Sequence, residues 1–261
     1  GSAHEFFDWG EMSEVELPIP SIEKQREIVK EYNTIVNRIN LNEQLNKKLE
    51  ETAQALYKHW FVDFEFPNEN GQPYKSSGGK MVYNEELDQE IPKGWEIKDC
   101  GDLTTIKAGG DKPKIYSSKQ TKVFSVPIYS NSMTDQGLFG FTNNAKILEK
   151  SITISARGGI GFTSLRVEPY VPIVRLIVVI PKELKHLNYL FHFLTKYEYD
   201  DIASAQAQLT IPDVSKFKVA IPTSNLFQDF QSLSEKIYNT ISIKRKKNKS
   251  LLKLGSVLLS K

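Results

Sequence analysis

The Gly-Gly-Ile-Gly run at Gly158–Gly161, directly after Arg157, comes nearest to a nucleotide-binding loop in this chain. It lacks the spacing and the Lys-Ser/Thr ending with which a P-loop cradles phosphates, and the third glycine of a dinucleotide turn. The four histidines, His4, His59, His186 and His192, fall at no zinc-ligand spacing, and no cysteine lies near the last pair. Pro212-Asp213 could open a nuclease carboxylate pattern, but no acidic-x-Lys follows it. An Asn-Pro-Pro-aromatic motif, which holds a flipped base in aminomethylating enzymes, is missing as well. The reading is of a chain with no catalytic, metal or cofactor site of its own, whose chemistry is hydrogen bonding and charge.

Composition narrows the class further. At 261 residues, with 39% hydrophobic and 25% charged residues, the chain is long and apolar enough to bury a real core. The longest strongly apolar run, Val171 to Ile180, is interrupted by Pro172 and Arg175 and falls far short of the roughly 20 residues that cross a bilayer. It reads as a buried strand. No membrane segment and no secretory signal is visible, and the single cysteine, Cys100, excludes an internal disulfide and fits a reducing cytoplasm. Net charge is only +2, although residues 101–222 carry 15 lysines and arginines against 10 acidic residues, so a polyanionic partner is allowed without being demanded. The basic run Lys244-Arg245-Lys246-Lys247 with Lys249 reads first as a solvated helix face.

The elements that position these groups show themselves as an internal repeat. Shifted by 202 residues without gaps, the chain superposes Ile19/Ile221, Pro20/Pro222, Ile35/Ile237, Asn37/Asn239, Ile39/Ile241, Asn46/Asn248, Lys47/Lys249, Leu49/Leu251 and Leu56/Leu258. Both copies open on Ile-Pro followed by Ser21 or Thr223 and then continue without proline, which predicts two helices starting at corresponding points. In the first, apolar positions recur as Ile28, Tyr32, Ile35, Ile39, Leu49, Ala53, Leu56 and Trp60, steps of three and four that make a coiled-coil stripe. Asn42 and Asn46 interrupt the stripe, as Lys244 and Asn248 do in the second copy. Polar seam residues of this kind specify register and partner at a cost in stability. The two helices are natural partners for each other.

Between the helices, Pro67–Pro73 and Ser76–Gly79 have loop chemistry. After Ile91-Pro92-Lys93-Gly94-Trp95 come short β-type runs at Val123–Tyr129, Ile147–Ser155 and Ile173–Ile180, and a helix from about Leu187 to Ser204. The expected fold class is an α/β (α+β) globular domain flanked by two long α-helices forming an antiparallel coiled coil. The expected boundaries are 21–61 for the first helix, 62–92 for a linker, 93–222 for the globular domain and 223–261 for the second helix.

Several motifs, in order, resemble the specificity subunits of type I restriction-modification systems. The stretch Leu17 to Ile28 is similar to the opening of their central helix, Ala53 to Phe64 to its end, and Ile91 to Trp95 to the entry into a target recognition domain. Ile154 to Gly161 and Gln206 to Thr210 resemble two further signatures of that domain. The family's usual subunit alternates two recognition domains with two helical regions, whereas this chain shows two helical regions and one complete domain. Residues 1–20 then read as the remnant of a preceding recognition domain or a cloning scar, and the chain as a fragment, a natural truncation or a half-subunit that restores the arrangement by homodimerising.

The resemblance implies a non-catalytic subunit that recognises double-stranded DNA in the cytoplasm, reads one half of a bipartite target and docks methyltransferase subunits, with restriction subunits in the full complex. S-adenosylmethionine would sit on the methyltransferase, not here. A stand-alone DNA-binding coiled-coil protein is the competing reading. For DNA contact the residue types point to the polar and basic loops of the insert: Lys112, Lys114 and Tyr116 as a basic-aromatic cluster, Asn131 and Ser132 in a second loop, and Arg157 leading into Gly158 and Gly159. Gln206, Gln208 and Thr210 complete the set, with amides and a hydroxyl of the kind that pair with adenine or the backbone. From Ile22 to Trp60 a helix would span about 58 Å at 1.5 Å per residue. Its length would then act as a ruler between half-sites.

Overall fold

A computed structural model describes residues 10, 13–16, 19–199, 208–222 and 225–259. Along the chain run α1 (Ile22–Tyr57), a π-helical turn (Lys58–Val62), β1 (Met81–Asn84), β2 (Gln89–Pro92), β3 (Glu96–Asp99), α2 (Cys100–Leu103) and β4 (Thr104–Ala108). Then follow β5 (Val126–Tyr129), β6 (Leu138–Thr142), β7 (Ser151–Ile154), β8 (Thr163–Arg166), β9 (Val171–Pro172) and β10 (Ile177–Pro181). The last elements are α3 (Leu187–Lys196), α4 (Ile211–Ser215), β11 (Lys218–Ile221) and α5 (Leu226–Leu258). They make two compact units, one drawn from Gly1–Lys48 and Thr240–Lys261, the other Leu49–Asn239.

In the first unit the N-terminal part of α1 lies antiparallel to the C-terminal part of α5. Asn42 meets Asn248, while Tyr32 and Ile35 approach Gly255. The start of α1 is capped by its own residues: the Ser21 hydroxyl accepts from the Lys24 amide at 3.3 Å, and Gln25 Nε2 donates to the Pro20 carbonyl at 2.9 Å. The residues turned inward are those of the sequence stripe, with Ile35, Asn42, Asn46, Ile241 and Asn248 all buried. The polar break is a hydrogen bond. Asn42 Nδ2 donates to Asn248 Oδ1 at 2.7 Å, and Asn248 Nδ2 reaches the Ile39 carbonyl at 3.4 Å.

The second unit is built on a four-stranded antiparallel sheet in the order β4-β10-β7-β8 and a three-stranded sheet in the order β6-β5-β9. Alternation along β10 decides what each face packs against. Ile177 and Val179 join the main core with α3, whereas Val178 and Ile180 turn to a second cluster with Ile147 and Tyr170. Both faces of the sheet are covered, which is why β10 reads as a continuous apolar run and why Ser151 and Thr153 of the alternating strand β7 are buried along with Ile152 and Ile154.

The helices enter this core through aromatic residues. At the end of α1 a wider π turn carries both Trp60 and Phe61 into the interior. Phe61 meets Phe230 edge-on at 5.1 Å and Tyr189 at 4.7 Å between ring centroids, and Trp60 lies 6.0 Å from Phe230. Burial of each large ring contributes roughly 1.5–3 kcal/mol. The Ile91–Trp95 motif ends in the same way: Gly94 adopts φ +93°, and the Trp95 ring then stacks on Phe66 at 5.6 Å.

Three sequence expectations are revised. Val171–Ile180 is not one strand, because Val174 and Arg175 take left-handed backbone at φ 54° and 60° and divide it into β9 and β10 of different sheets. The helix expected to reach Ser204 stops at Lys196, where Tyr197 turns extended at φ −60°, ψ 138°, though residues 200–204 lie outside the described ones. The stretch expected as a linker carries the β1–β2 hairpin, with Met81 opposite Pro92 and Asn84 opposite Gln89.

Candidate nucleic-acid interface

Sheet register gathers the loops that matter. Ala108, Ile177, Ile154 and Thr163 form one row across the four-stranded sheet. Tyr129, Pro172 and Leu138 form the corresponding row of the three-stranded sheet. From these two rows hang the loops 109–117, 130–137, 155–162 and 173–176. The last belongs to both, so the sheets are stitched there: Ile173 N donates to the Tyr129 carbonyl at 2.9 Å and Gly109 N to the Leu176 carbonyl at 2.8 Å. Segment 208–210 joins them through Leu209 N, which donates to the Ala156 carbonyl at 3.0 Å.

Asn131 is the brace among them. Its Nδ2 donates to the Val174 carbonyl at 2.6 Å, its Oδ1 accepts from Ala156 N at 2.8 Å, and its own carbonyl accepts from the Ser155 hydroxyl at 2.9 Å. Three loops are thereby tied by one residue, and its amide is engaged on both sides. Ser132 caps its own turn, accepting from Thr134 N at 3.2 Å. Thr210 is likewise occupied: it starts α4 with a capping box, its hydroxyl 2.6 Å from Asp213 Oδ2.

Arg157 is exposed, and its Nε and Nη2 both donate to Gln208 Oε1, the former at 2.9 Å. The glycines after it differ in purpose. Gly158, at φ +72°, has nothing within 4 Å of a notional Cβ, and that side of it is open. At Gly159 a Cβ would fall 2.6 Å from Met133 Sδ, and at Gly161, φ +85°, 2.4 Å from the Tyr199 ring. Gln206 lies outside the described residues.

Lys112, Lys114 and Tyr116 run along the outer edge of β6, where Ser117 bridges Phe141. Lys112 Nζ sits 4.5 Å above the Tyr116 ring and 5.6 Å from that of Phe139. Tyr116 and Phe139 are 39% and 41% exposed, so two rings and a cation face solvent together. Lys114 is exposed beside them. The structure thus brings Asn131, Arg157, Gly158, Gly159, Gln208 and Thr210 into one loop cluster, with the Lys112 group along the adjoining edge. It adds Arg175, exposed in loop 173–176, and the exposed Met133, Thr134 and Asp135. Arg175 had a signal in the sequence, a charge in the middle of an apolar run; the other three had none.

Beneath loop 130–137 lies a buried cation. Arg166, 5% exposed, stacks its guanidinium 3.6 Å from the Tyr129 ring centroid, donates from Nε to Thr153 Oγ1 at 3.0 Å and from Nη2 to the Gln136 carbonyl at 2.6 Å. Burial pushes the Tyr129 phenol above its usual range, with the neighbouring guanidinium pulling the other way. The carbonyl that Arg166 holds sits in strained backbone. Asp135, Gln136 and Gly137 are consecutive left-handed residues at φ 46°, 54° and 84°. For the two that are not glycine this costs about 1–2 kcal/mol each.

Residues 92–253 match the family profile of the type I restriction modification DNA specificity domain. The chain belongs to this family. Among such specificity subunits, it is 29% identical over 269 residues to the MjaIX specificity subunit of Methanocaldococcus jannaschii, covering 96% of this chain and 60% of that protein. It is also 29% identical to a putative type I specificity subunit of Mycoplasma pneumoniae, covering 87% of this chain and 56% of that one. The chain therefore spans a little over half the length of these relatives. The crystal structure of the type I restriction-modification S subunit from M. genitalium shares the fold, with a TM-score of 0.63 at 16% identity over 92% of this chain and 60% of that one.

Proposed function

We propose that this specificity-domain chain reads double-stranded DNA for a type I restriction-modification complex, recognising one half of a bipartite target through the loop cluster of its second unit. The observation that carries this is that four exposed cations, Lys112, Lys114, Arg157 and Arg175, lie on loops leaving one end of the two sheets, with the exposed rings of Tyr116 and Phe139 along the adjoining edge. Cations on such loops set affinity through phosphates, and a few side chains among them set the sequence. Family membership directs this surface to DNA rather than to another polyanion.

The chain is read as non-catalytic. The α1–α5 pair docks the methyltransferase subunits, on which S-adenosylmethionine is expected, and restriction subunits join in the full complex. The length of α1 sets the distance between half-sites. A second recognition domain comes either from a longer chain or from a second copy of this one.

The test is to incubate the purified chain with duplex DNA and S-adenosylmethionine, with and without a methyltransferase subunit of such a system. Methylation that requires both proteins is the expected result. Methylation by the chain alone would make it an enzyme, and binding to DNA without any response to the methyltransferase would favour a stand-alone DNA-binding protein.

A further inference from the structure

The cluster holds several polar groups, but most are already engaged. Asn131 braces three loops, Thr210 caps α4 and Arg157 is held by Gln208. Among the described residues, the side chains of Thr134 and Asp135 make no hydrogen bond. They stand exposed on the loop whose backbone is the most constrained of the five. Its turn carries three left-handed residues in succession, and a Cβ at Gly137 would fall 2.5 Å from the Ser130 carbonyl. From below, Arg166 grips the Gln136 carbonyl, and from the side Asn131 fastens the loop to Val174, itself a β-branched residue at φ 54°. Non-glycine residues rarely adopt such backbone, and strain of this sort persists only where the surroundings over-determine it.

A buried arginine that ties a loop carbonyl to Thr153 and Tyr129 of the sheets beneath is an expensive device for a mere connection. It makes sense where side chains must be presented in a fixed pose, as base-edge contacts require. The type of the presented residue is informative too. A carboxylate accepts hydrogen bonds and cannot donate, and it is repelled by phosphate, so at a DNA surface it is favourable only over an exocyclic amine.

We propose that loop 130–137 is the sequence-reading element of this domain. In it Asp135 accepts from the N4 amine of a cytosine in the major groove, Thr134 contacts the adjacent base pair, and Arg166 and Asn131 act as positioning residues. This rests on the DNA-reading function proposed above. Arg166 touches no DNA in this scheme and acts on the loop through the Gln136 carbonyl.

The experiment selects bound sequences from a pool of random-sequence duplex DNA, using the full chain in complex with a methyltransferase subunit, for wild type and for Asp135→Asn, Thr134→Ala, Arg166→Met and Arg166→Lys. Wild type is expected to enrich a defined motif. Asp135→Asn should shift one position from cytosine towards adenine by about tenfold, since an asparagine amide suits adenine. Thr134→Ala should relax a neighbouring position. Arg166→Met should flatten these same positions while the rest of the motif survives, and Arg166→Lys should restore part of the preference. A wild-type motif left unchanged by both Asp135→Asn and Thr134→Ala would overturn the assignment of this loop and leave the DNA-reading function standing. A wild type that enriches no motif would sink both. Should Arg166→Met fail to fold, the two exposed variants decide the matter alone.

Discussion

Asn42 and Asn248 meet across the two helices of the first unit, amide to carbonyl at 2.7 Å, with both side chains buried. They are not equivalent positions of the repeat. Shifting by 202 residues relates Asn248 to Asn46 and Asn42 to Lys244, so the mirror image of this bond would join Lys244 to Asn46. Asn46 Oδ1 is a buried acceptor with no partner among the described residues.

Lys244→Asn should therefore supply the missing donor. Denaturant unfolding is expected to show a gain of about 0.5–1.5 kcal/mol, the usual net worth of an intramolecular hydrogen bond. Unchanged or lowered stability would show that the two ends of the seam are not alike in packing.

Removing the existing bond should act the other way. Asn42→Ala leaves Asn248 Oδ1 buried without its donor and should cost about 1–3 kcal/mol. The double change Asn42→Leu with Asn248→Leu should recover or exceed the original stability but loosen the register, because polar seam residues discriminate against slipped pairings. Disulfide trapping between cysteines placed at positions 35 and 255 reads the register directly, and several competing registers are the expected outcome for the leucine pair.

His192 gives the second unit a pH dependence. It is 1% exposed, stacked on Tyr57 at 5.2 Å, with Nε2 2.9 Å from the Tyr238 hydroxyl. Burial, with a smaller push from Lys196, lowers its pKa from 6.5 to about 3. The unfolded chain thus takes up a proton near pH 6.5 that the folded chain refuses until about pH 3. The stability tied to the neutral ring is fully present above pH 6.5 and falls as pH drops through that window. His192→Phe should flatten the stability profile between pH 6.5 and 4, and a slope as steep as wild type would show that other groups dominate it.

The exposed cations make a prediction about salt. Lys112→Ala and Arg175→Ala should each weaken DNA binding across sequences and reduce the slope of log affinity against log salt by about one. Fluorescence anisotropy over a salt series measures both quantities, and an unchanged slope would remove that residue from the interface.

Shortening α1 by seven residues, with the matching seven removed from α5, should keep the seam in phase and change the number of unread base pairs between half-sites. Selection of bound duplexes reads the spacer, and a constant spacer would separate helix length from target geometry.

The sequence made the helices legible because a seam repeats: Ile35, Ile39, Leu49 and Ala53 recur at steps that solvent and partner helix impose together, and the polar break stands out against them. Among the short strands only β5, β7, β9 and β10 fell within runs legible as β-type, and their ends did not show. Nothing in Val174 announces left-handed backbone, since its conformation follows from Asn131, 43 residues away, and from Gly110. The loop cluster was read partly for the same reason. Residue type pointed to Arg157 and Gln208 separately, while their pairing, the bracing by Asn131 and the support from Arg166 all come from contacts distant in sequence. A buried arginine in a strand looks, in sequence, like any outward-facing one.

The rows that end the two sheets have an evolutionary consequence. The side chains of the main core lie largely in the helices and strands, whereas the candidate contacts lie mostly in the segments that leave those rows, so these segments can be exchanged between homologues when the contacts that tie them together, such as those of Asn131, are kept. Target preference should then diversify by recombination of loops on an unchanging frame. Grafting 130–137 with its arginine support is the smallest unit such an exchange would need.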